Sequence, residues 1–260
     1  MGQSDLHPLA EFYKTLDQWS KSISGSIVRI TEAFDGPRKA IAEFVERNAE
    51  LFDVLRSLDV AFPLLVEDML SPLVQHGWYP DLELPFSLLA DLVDEFKKDP
   101  SAGENAYVRY LSRELDAIES RLRDAAPERT RVFADAFNSH RSGLFYASIP
   151  VLLAQAEGIV WEKLNILLYS SKREALRRRA SELGENGRGL SEVLMWPLIE
   201  PTSLNRCKRE RATDFAGMNR HLVLHGEDIT YGCERNSLRA VSHLLFVSDV
   251  LKSVPDSNAV

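Results

Sequence analysis

Apolar residues recur at intervals of three and four along almost the whole chain, and alternation at every second residue is hard to find. The first spacing lines up one face of a helix, whereas a strand repeats every two residues. The pattern therefore predicts an all-α protein. Leu6, Phe12, Tyr13, Leu16, Trp19 and Ile23 give a first helix, continuing through Ile27, Val28 and Ile30 to Phe34, where Gly36 and Pro37 stop it. Ala40, Ile41, Phe44, Val45, Leu51, Leu55 and Leu58 mark a second, and the pair reads as an antiparallel hairpin. Residues 62–85 are punctuated by Pro63, Pro72, Gly77, Pro80 and Pro85, so short helical pieces and turns are expected, with Trp78 and Tyr79 as a buried aromatic plug.

Leu88, Leu89, Leu92, Val93 and Phe96 predict a helix over 86–98, with Lys97 and Lys98 at its negative end. Asp99, Pro100, Ser101, Ala102 and Gly103 read as a linker. Tyr107, Leu111, Leu115, Ile118 and Leu122 space a further helix, with Arg113 to Glu119 and Arg121 to Asp124 as its solvated face; Ala126-Pro127 breaks it. Val132, Phe133, Ala136, Phe137 and His140 open another, with His140 on the apolar side as a core histidine. Residues 144–168 are apolar around most of a helical surface, the mark of a central core helix. Glu157-Gly158 interrupts that surface, and a carboxylate there requires solvent or a partner. Leu238, Val241, Leu244, Leu245, Val247, Val250 and Leu251 predict a last amphipathic helix. The organisation that follows is an N-terminal helical region over 1–125 and a helical domain over 126–260, with no internal repeat of solenoid length.

Composition adds little until charge is resolved along the chain. The 260 residues are 45% hydrophobic and 27% charged, an ordinary globular balance. No leader pattern opens the sequence, and no apolar run approaches a membrane span, so a cytoplasmic protein with no membrane contact is expected. Cys207 and Cys233 fit no metal-ligand spacing and read as free thiols. The net charge is −8, but residues 1–100 carry nine Lys/Arg against eighteen Asp/Glu, and residues 171–220 carry eleven against seven. Within the second segment lie Lys172, Arg173, Arg177 and Arg178, then Arg206, Lys208 and Arg209. Such a strip attracts phosphates even on an acidic molecule.

The strip leads into Met218-Asn219-Arg220-His221-Leu222-Val223-Leu224-His225-Gly226, the one chemically dense stretch of the chain. His221 and His225 have the spacing of a zinc-protease helix, but Leu222 stands where the general-base glutamate belongs. No metal and no cofactor are expected. Serine-nucleophile, dinucleotide and P-loop fingerprints are absent. Phosphodiester cleavage without a metal suits these residues better. A histidine moves protons near neutral pH, and an arginine, always charged, stabilises the phosphoryl oxygens. Positions five apart in a straight helix lie about 140° from each other, so Arg220 must reach round to meet His225 or a second copy must complete the site.

Arg220 to His225 resembles the Rx4–6H motif of HEPN domains, where the residue after the arginine is commonly polar, as His221 is. Asn219 to Gly226, Tyr231-Gly232, and Ile149-Pro150 with Glu157-Gly158-Ile159 also resemble a group of bacterial helical proteins of abortive-infection type. The likeness spans roughly residues 130–255. It implies a C-terminal HEPN-like bundle and an endoribonuclease of bacterial defence or stress response, with toxin character and a possible antitoxin or defence-system partner. His225 would then transfer protons and Arg220 would stabilise phosphoryl charge. His221 and Asn219 would contact the phosphate or orient the others, and Glu157 would orient Arg220 or a histidine. HEPN ribonucleases build a composite site from two motifs, so a single motif implies a homodimer. The basic strip would guide RNA. The other reading is a non-catalytic RNA-binding or protein-interaction adaptor in which Arg220 pairs with a carboxylate such as Glu157 and the motif is structural.

Overall fold

The long apolar segment after Gly143 forms a central helix of the bundle, against which the C-terminal helix and the helix preceding it in sequence pack. The computed structural model describes residues 67, 70–169, 173–183, 190–207, 209–211, 215, 217–252 and 254. The hairpin expected over 1–58 lies outside these residues. After a helical segment at 70–75 come α1 (Phe86–Lys98), α2 (Pro100–Ala125), a single 3-10 turn (Pro127–Arg129) and α3 (Thr130–Arg141). They are followed by α4 (Phe145–Leu164), α5 (Arg173–Leu183), α6 (Leu190–Ile199), α7 (Arg220–Leu224) and α8 (Glu234–Leu251). The described residues are helices and turns without a strand, so the fold is an all-α bundle. Among them no helix is long and apolar enough to cross a membrane.

The central pair is α4 against α8, with α3 also packed on α4. Small residues are buried on both helices, Ser148 and Ala156 on α4 and Ser237 and Ala240 on α8. The Ser148 and Ser237 hydroxyls are 3.1 Å apart, and Ser237 also meets Nδ1 of His140 at 2.8 Å. His140 is thus a satisfied core histidine, as its place on the apolar side of α3 predicts. Asn165 ends α4 in the left-handed conformation, at φ 53°.

On α2, the residues predicted for the core, Tyr107, Leu111, Leu115, Ile118 and Leu122, are all buried. Its polar face departs from expectation. Glu119 is buried and bonds Arg123 and Arg141, the latter at 2.6 Å. Arg121 binds the buried Asp81 at 2.9 Å and Asp249 of α8 at 2.7 Å. These charges join elements far apart in sequence, so no local pattern distinguishes them from a solvated face.

The linker read at 99–103 is instead the start of α2. Asp99 caps it by accepting from the backbone of Ser101 and Ala102, and Pro100 occupies the first turn, where its missing N–H costs nothing. Gly103, inside the first turns of α2, leaves room for Phe96 of α1, whose ring would lie 2.6 Å from a Cβ there. Trp78 and Tyr79 are buried, as expected; the Trp78 indole donates to Glu104, and Arg239 of α8 lies over its ring at 4.9 Å. Residues on both sides of 125, from Leu73 to Val254, share one hydrophobic cluster.

Candidate functional site

Residues 218–226 fold as one short, firmly seated turn of helix. Asn219 is extended, and its carboxamide oxygen accepts from the backbone N–H groups of His221 (3.1 Å) and Leu222 (3.4 Å), the side-chain cap that starts α7. Its Nδ2 donates to the carbonyls of Ser203 (2.8 Å) and Arg206 (3.0 Å), and the Arg220 backbone N–H donates to Leu204 (2.9 Å). Met218 and Val223 anchor the turn in the core. Gly226, at φ 71°, adopts the left-handed geometry that commonly terminates a helix and turns the chain away after His225.

Because α7 holds only five residues, Arg220 and His225 lie at its two ends, with His225 as the C-cap. The parallel pair is His221 and His225: their rings stack with centroids 6.2 Å apart and planes 3° from each other. Arg220 joins this pair through His221, with Nη1 3.4 Å from His221 Nδ1.

Arg220 is held from two further sides. Its Nη2 donates to Glu157 of α4, and its guanidinium lies 4.6 Å from the centroid of the Tyr169 ring. The Arg220 side chain is 16% exposed and that of Glu157 19%. Arg220 Nε is buried without a partner. Tyr169 is itself fixed from below, its hydroxyl 2.6 Å from Nε2 of His243 on α8. Burial holds the Tyr169 phenol well above its ordinary pKa and pushes His243 down to about 3. The phenol therefore keeps its proton and faces a neutral imidazole. The other ring nitrogen of His243, Nδ1, is buried and unpartnered. The stack from inside outward is His243, Tyr169, Arg220 with Glu157, His221, and finally His225, which is exposed.

Electrostatics acts clearly on His221. Burial lowers the His221 pKa first, and the cationic neighbourhoods of Arg220, His225 and Arg211 lower it further, against a smaller opposing pull from Glu157. A neutral His221 is the form this environment favours.

The sequence-predicted residues divide clearly. Arg220, His221, His225 and Glu157 come together as one cluster, and Glu157 orients Arg220. Asn219 has 0% exposure and commits its carboxamide to the backbone, so it orients the others from beneath. The basic strip is less free than its composition suggests. Arg177 lies near Glu174 (4.0 Å) and Glu200 (3.6 Å), and Arg178 near Glu182 (3.7 Å). Arg206 and Arg209 are exposed. Lys172 and Lys208 fall outside the described residues, as does the side chain of Arg173. Tyr169, His243 and Arg211 belong to the site but carry no motif signal, since each reaches it from a separate segment.

Among the described residues no group of three or more His, Cys, Asp or Glu is placed to hold a metal ion. No protein-family model, curated protein or solved structure matches the chain.

Proposed function

We propose that the chain is a HEPN-type endoribonuclease that cleaves RNA without a metal, acting as a homodimer in bacterial defence or stress response. What carries the reading is the joining of a fixed arginine to a solvent-reaching histidine pair: Arg220 is braced by Glu157 and Tyr169, bonds His221, and His221 stacks on exposed His225. His225 is the proton-transfer residue, taking the 2′-hydroxyl proton or supplying one to the 5′-oxygen leaving group. A second motif from the partner copy supplies the complementary proton transfer. Arg220 holds His221 beside the phosphoryl group, and its positive field stabilises the charge that develops there without a direct bond to the phosphate. The exposed Arg206 and Arg209 guide the RNA backbone.

A second reading has one specific observation in its favour. Glu157 neutralises Arg220 within the fold, as expected of a structural ion pair in a non-catalytic helical adaptor. The two separate in one assay. Purified protein is incubated in EDTA with total RNA and tRNA, beside a His225→Ala variant of equal thermal stability. Cleavage by the wild type alone supports the ribonuclease; RNA left intact by both leaves the adaptor reading.

A further inference from the structure

Arg220 has little donor capacity left for a substrate. One edge of its guanidinium bonds Glu157, its face covers Tyr169, Nη1 points at His221, and Nε is buried. To grip a phosphate with two parallel N–H groups it would have to release Glu157, leaving a carboxylate of 19% exposure without its cation. A different cation stands beside it. Arg211 approaches the same turn from the preceding loop, and its Nη1 is 3.4 Å from the Asn219 carboxamide oxygen, the atom that also accepts from the His221 backbone. That long contact to a neutral amide is its hydrogen bond, and among the described residues no carboxylate pairs with it. Arg211 is half-buried rather than covered. A planar fork of donors, with no carboxylate partner among the described residues, therefore sits on the turn that carries His221 and lies close enough to act on that imidazole.

We infer that Arg211, with His221 and His225, forms an oxyanion subsite that takes the phosphate group of a nucleic-acid strand, while Arg220 is the positioning residue that holds His221. The assignment rests on the ribonuclease reading for the identity of the strand, but the subsite itself needs only an oxyanion. Charge supports it. Two guanidiniums and two imidazoles gather here against Glu157, which is already engaged by Arg220. An incoming oxyanion offsets the cationic field on His221 and so raises the affinity of that imidazole for a proton. Arginine suits the task because its fork matches two phosphate oxygens at once, which an ammonium does not.

The test uses the full chain and two probes that cannot be cleaved, inorganic phosphate and a short oligodeoxynucleotide lacking the 2′-hydroxyl. Histidine ring resonances are followed by NMR through a pH titration with and without each probe, and oligonucleotide affinity is measured in parallel. In the wild type, the probes raise the His221 midpoint. In Arg211→Gln the free-protein His221 midpoint already lies higher, the probe response disappears, and oligonucleotide affinity falls about tenfold to a hundredfold, the range for losing charge-assisted hydrogen bonds. Arg211→Lys, which keeps the charge without the fork, gives an intermediate loss and guards against misfolding of the glutamine variant. Unchanged affinity and an unchanged His221 response in Arg211→Gln overturn the inference, as does a wild type in which neither probe moves His221. A wild type that binds both probes yet cleaves no RNA overturns the ribonuclease and leaves the subsite standing.

Discussion

Glu157 and Arg220, 63 positions apart in sequence, are direct partners: Nη2 of the arginine donates to Oε2 of the glutamate. Both side chains are mostly shielded, so removing either leaves a charge that water solvates poorly. Glu157→Gln is expected to destabilise the fold by roughly 2–3 kcal/mol, somewhat less than the loss for breaking a fully buried pair because both groups keep some exposure. Arg220→Met removes the same bond together with the contact on Tyr169. The double variant then loses less than the sum of the singles, and a positive coupling in a urea-unfolding cycle is the measurement. Strict additivity would mean that the two charges do not act as a pair. If Arg220 also positions His221 for RNA cleavage, Glu157→Gln lowers kcat more than KM.

Tyr169 and His243 make the base of this stack sensitive to acid in a defined direction. His243 is neutral when folded, with its pKa pushed to about 3, whereas an unfolded histidine titrates near 6.5. Between those values the unfolded chain binds the extra proton, so this histidine reduces stability as pH falls, at about 1.4 kcal/mol per pH unit at most. Asp249 acts oppositely. Burial raises it to about 6 despite Arg121, so the folded state binds its proton first and gains stability as pH falls through that range. Comparing the wild type with a Tyr169→Phe/His243→Phe double variant cancels Asp249. On going from pH 7 to pH 4.5 the variant should lose less unfolding free energy, or gain more, than the wild type. Parallel pH profiles would show that His243 does not titrate on unfolding.

Much of this architecture was legible because it follows local periodicity. The buried face of α2 falls on Tyr107, Leu111, Leu115, Ile118 and Leu122, and the apolar run after Gly143 becomes the core helix α4. Long-range pairing was not legible. Glu119 and Arg121 have the spacing of solvated charges, and only the fold brings Arg141, Asp81 and Asp249 to them. Asp99 and Gly103 resemble linker residues in composition, yet one caps α2 and the other makes room for Phe96. The site divides similarly. Arg220, His221 and His225 are visible as a motif, and Glu157 as an anomaly on an apolar helix. Tyr169, His243 and Arg211 acquire meaning only once α4, α7, α8 and the loop before α7 are brought together.

Asn219 is where local capping and tertiary packing coincide. Its one carboxamide starts α7 and, through Nδ2, ties that helix to the carbonyls of Ser203 and Arg206. Asn219→Asp keeps the capping oxygen but replaces both donors with an acceptor facing two carbonyls in a fully buried site. Asn219→Ala removes everything without adding charge. The aspartate variant is expected to be the less stable of the two, with alanine costing about 2–3 kcal/mol, a helix cap combined with buried carbonyls left unpaired. Thermal denaturation ranks them. An aspartate variant as stable as wild type would mean that the two carbonyl contacts contribute nothing.

The loop that follows His225 is fastened to α4 by a reciprocal pair of tyrosines, and sequence explains why. Pro150 lacks an N–H, so the Tyr146 carbonyl four residues earlier has no helical donor. The Tyr231 hydroxyl takes that place at 3.1 Å, while the Tyr146 hydroxyl donates to the Ile229 carbonyl at 3.1 Å and the two rings meet edge to face at 5.0 Å. Gly232 permits this closeness, since a Cβ there would collide with the Tyr146 ring. Tyr231→Phe loses one hydrogen bond and is expected to cost about 0.5–1 kcal/mol. Gly232→Ala displaces the Tyr146 ring and so breaks both bonds and the ring contact, with an expected cost of about 1–2 kcal/mol. The sharper signature is local. In Gly232→Ala, hydrogen exchange at residues 227–233 should accelerate well beyond that of α4 and α8, and the His225 ring resonance should broaden or shift. Equal exchange in the two variants would show that the tyrosine hydroxyl, and not the glycine's close approach, holds the loop against the helix.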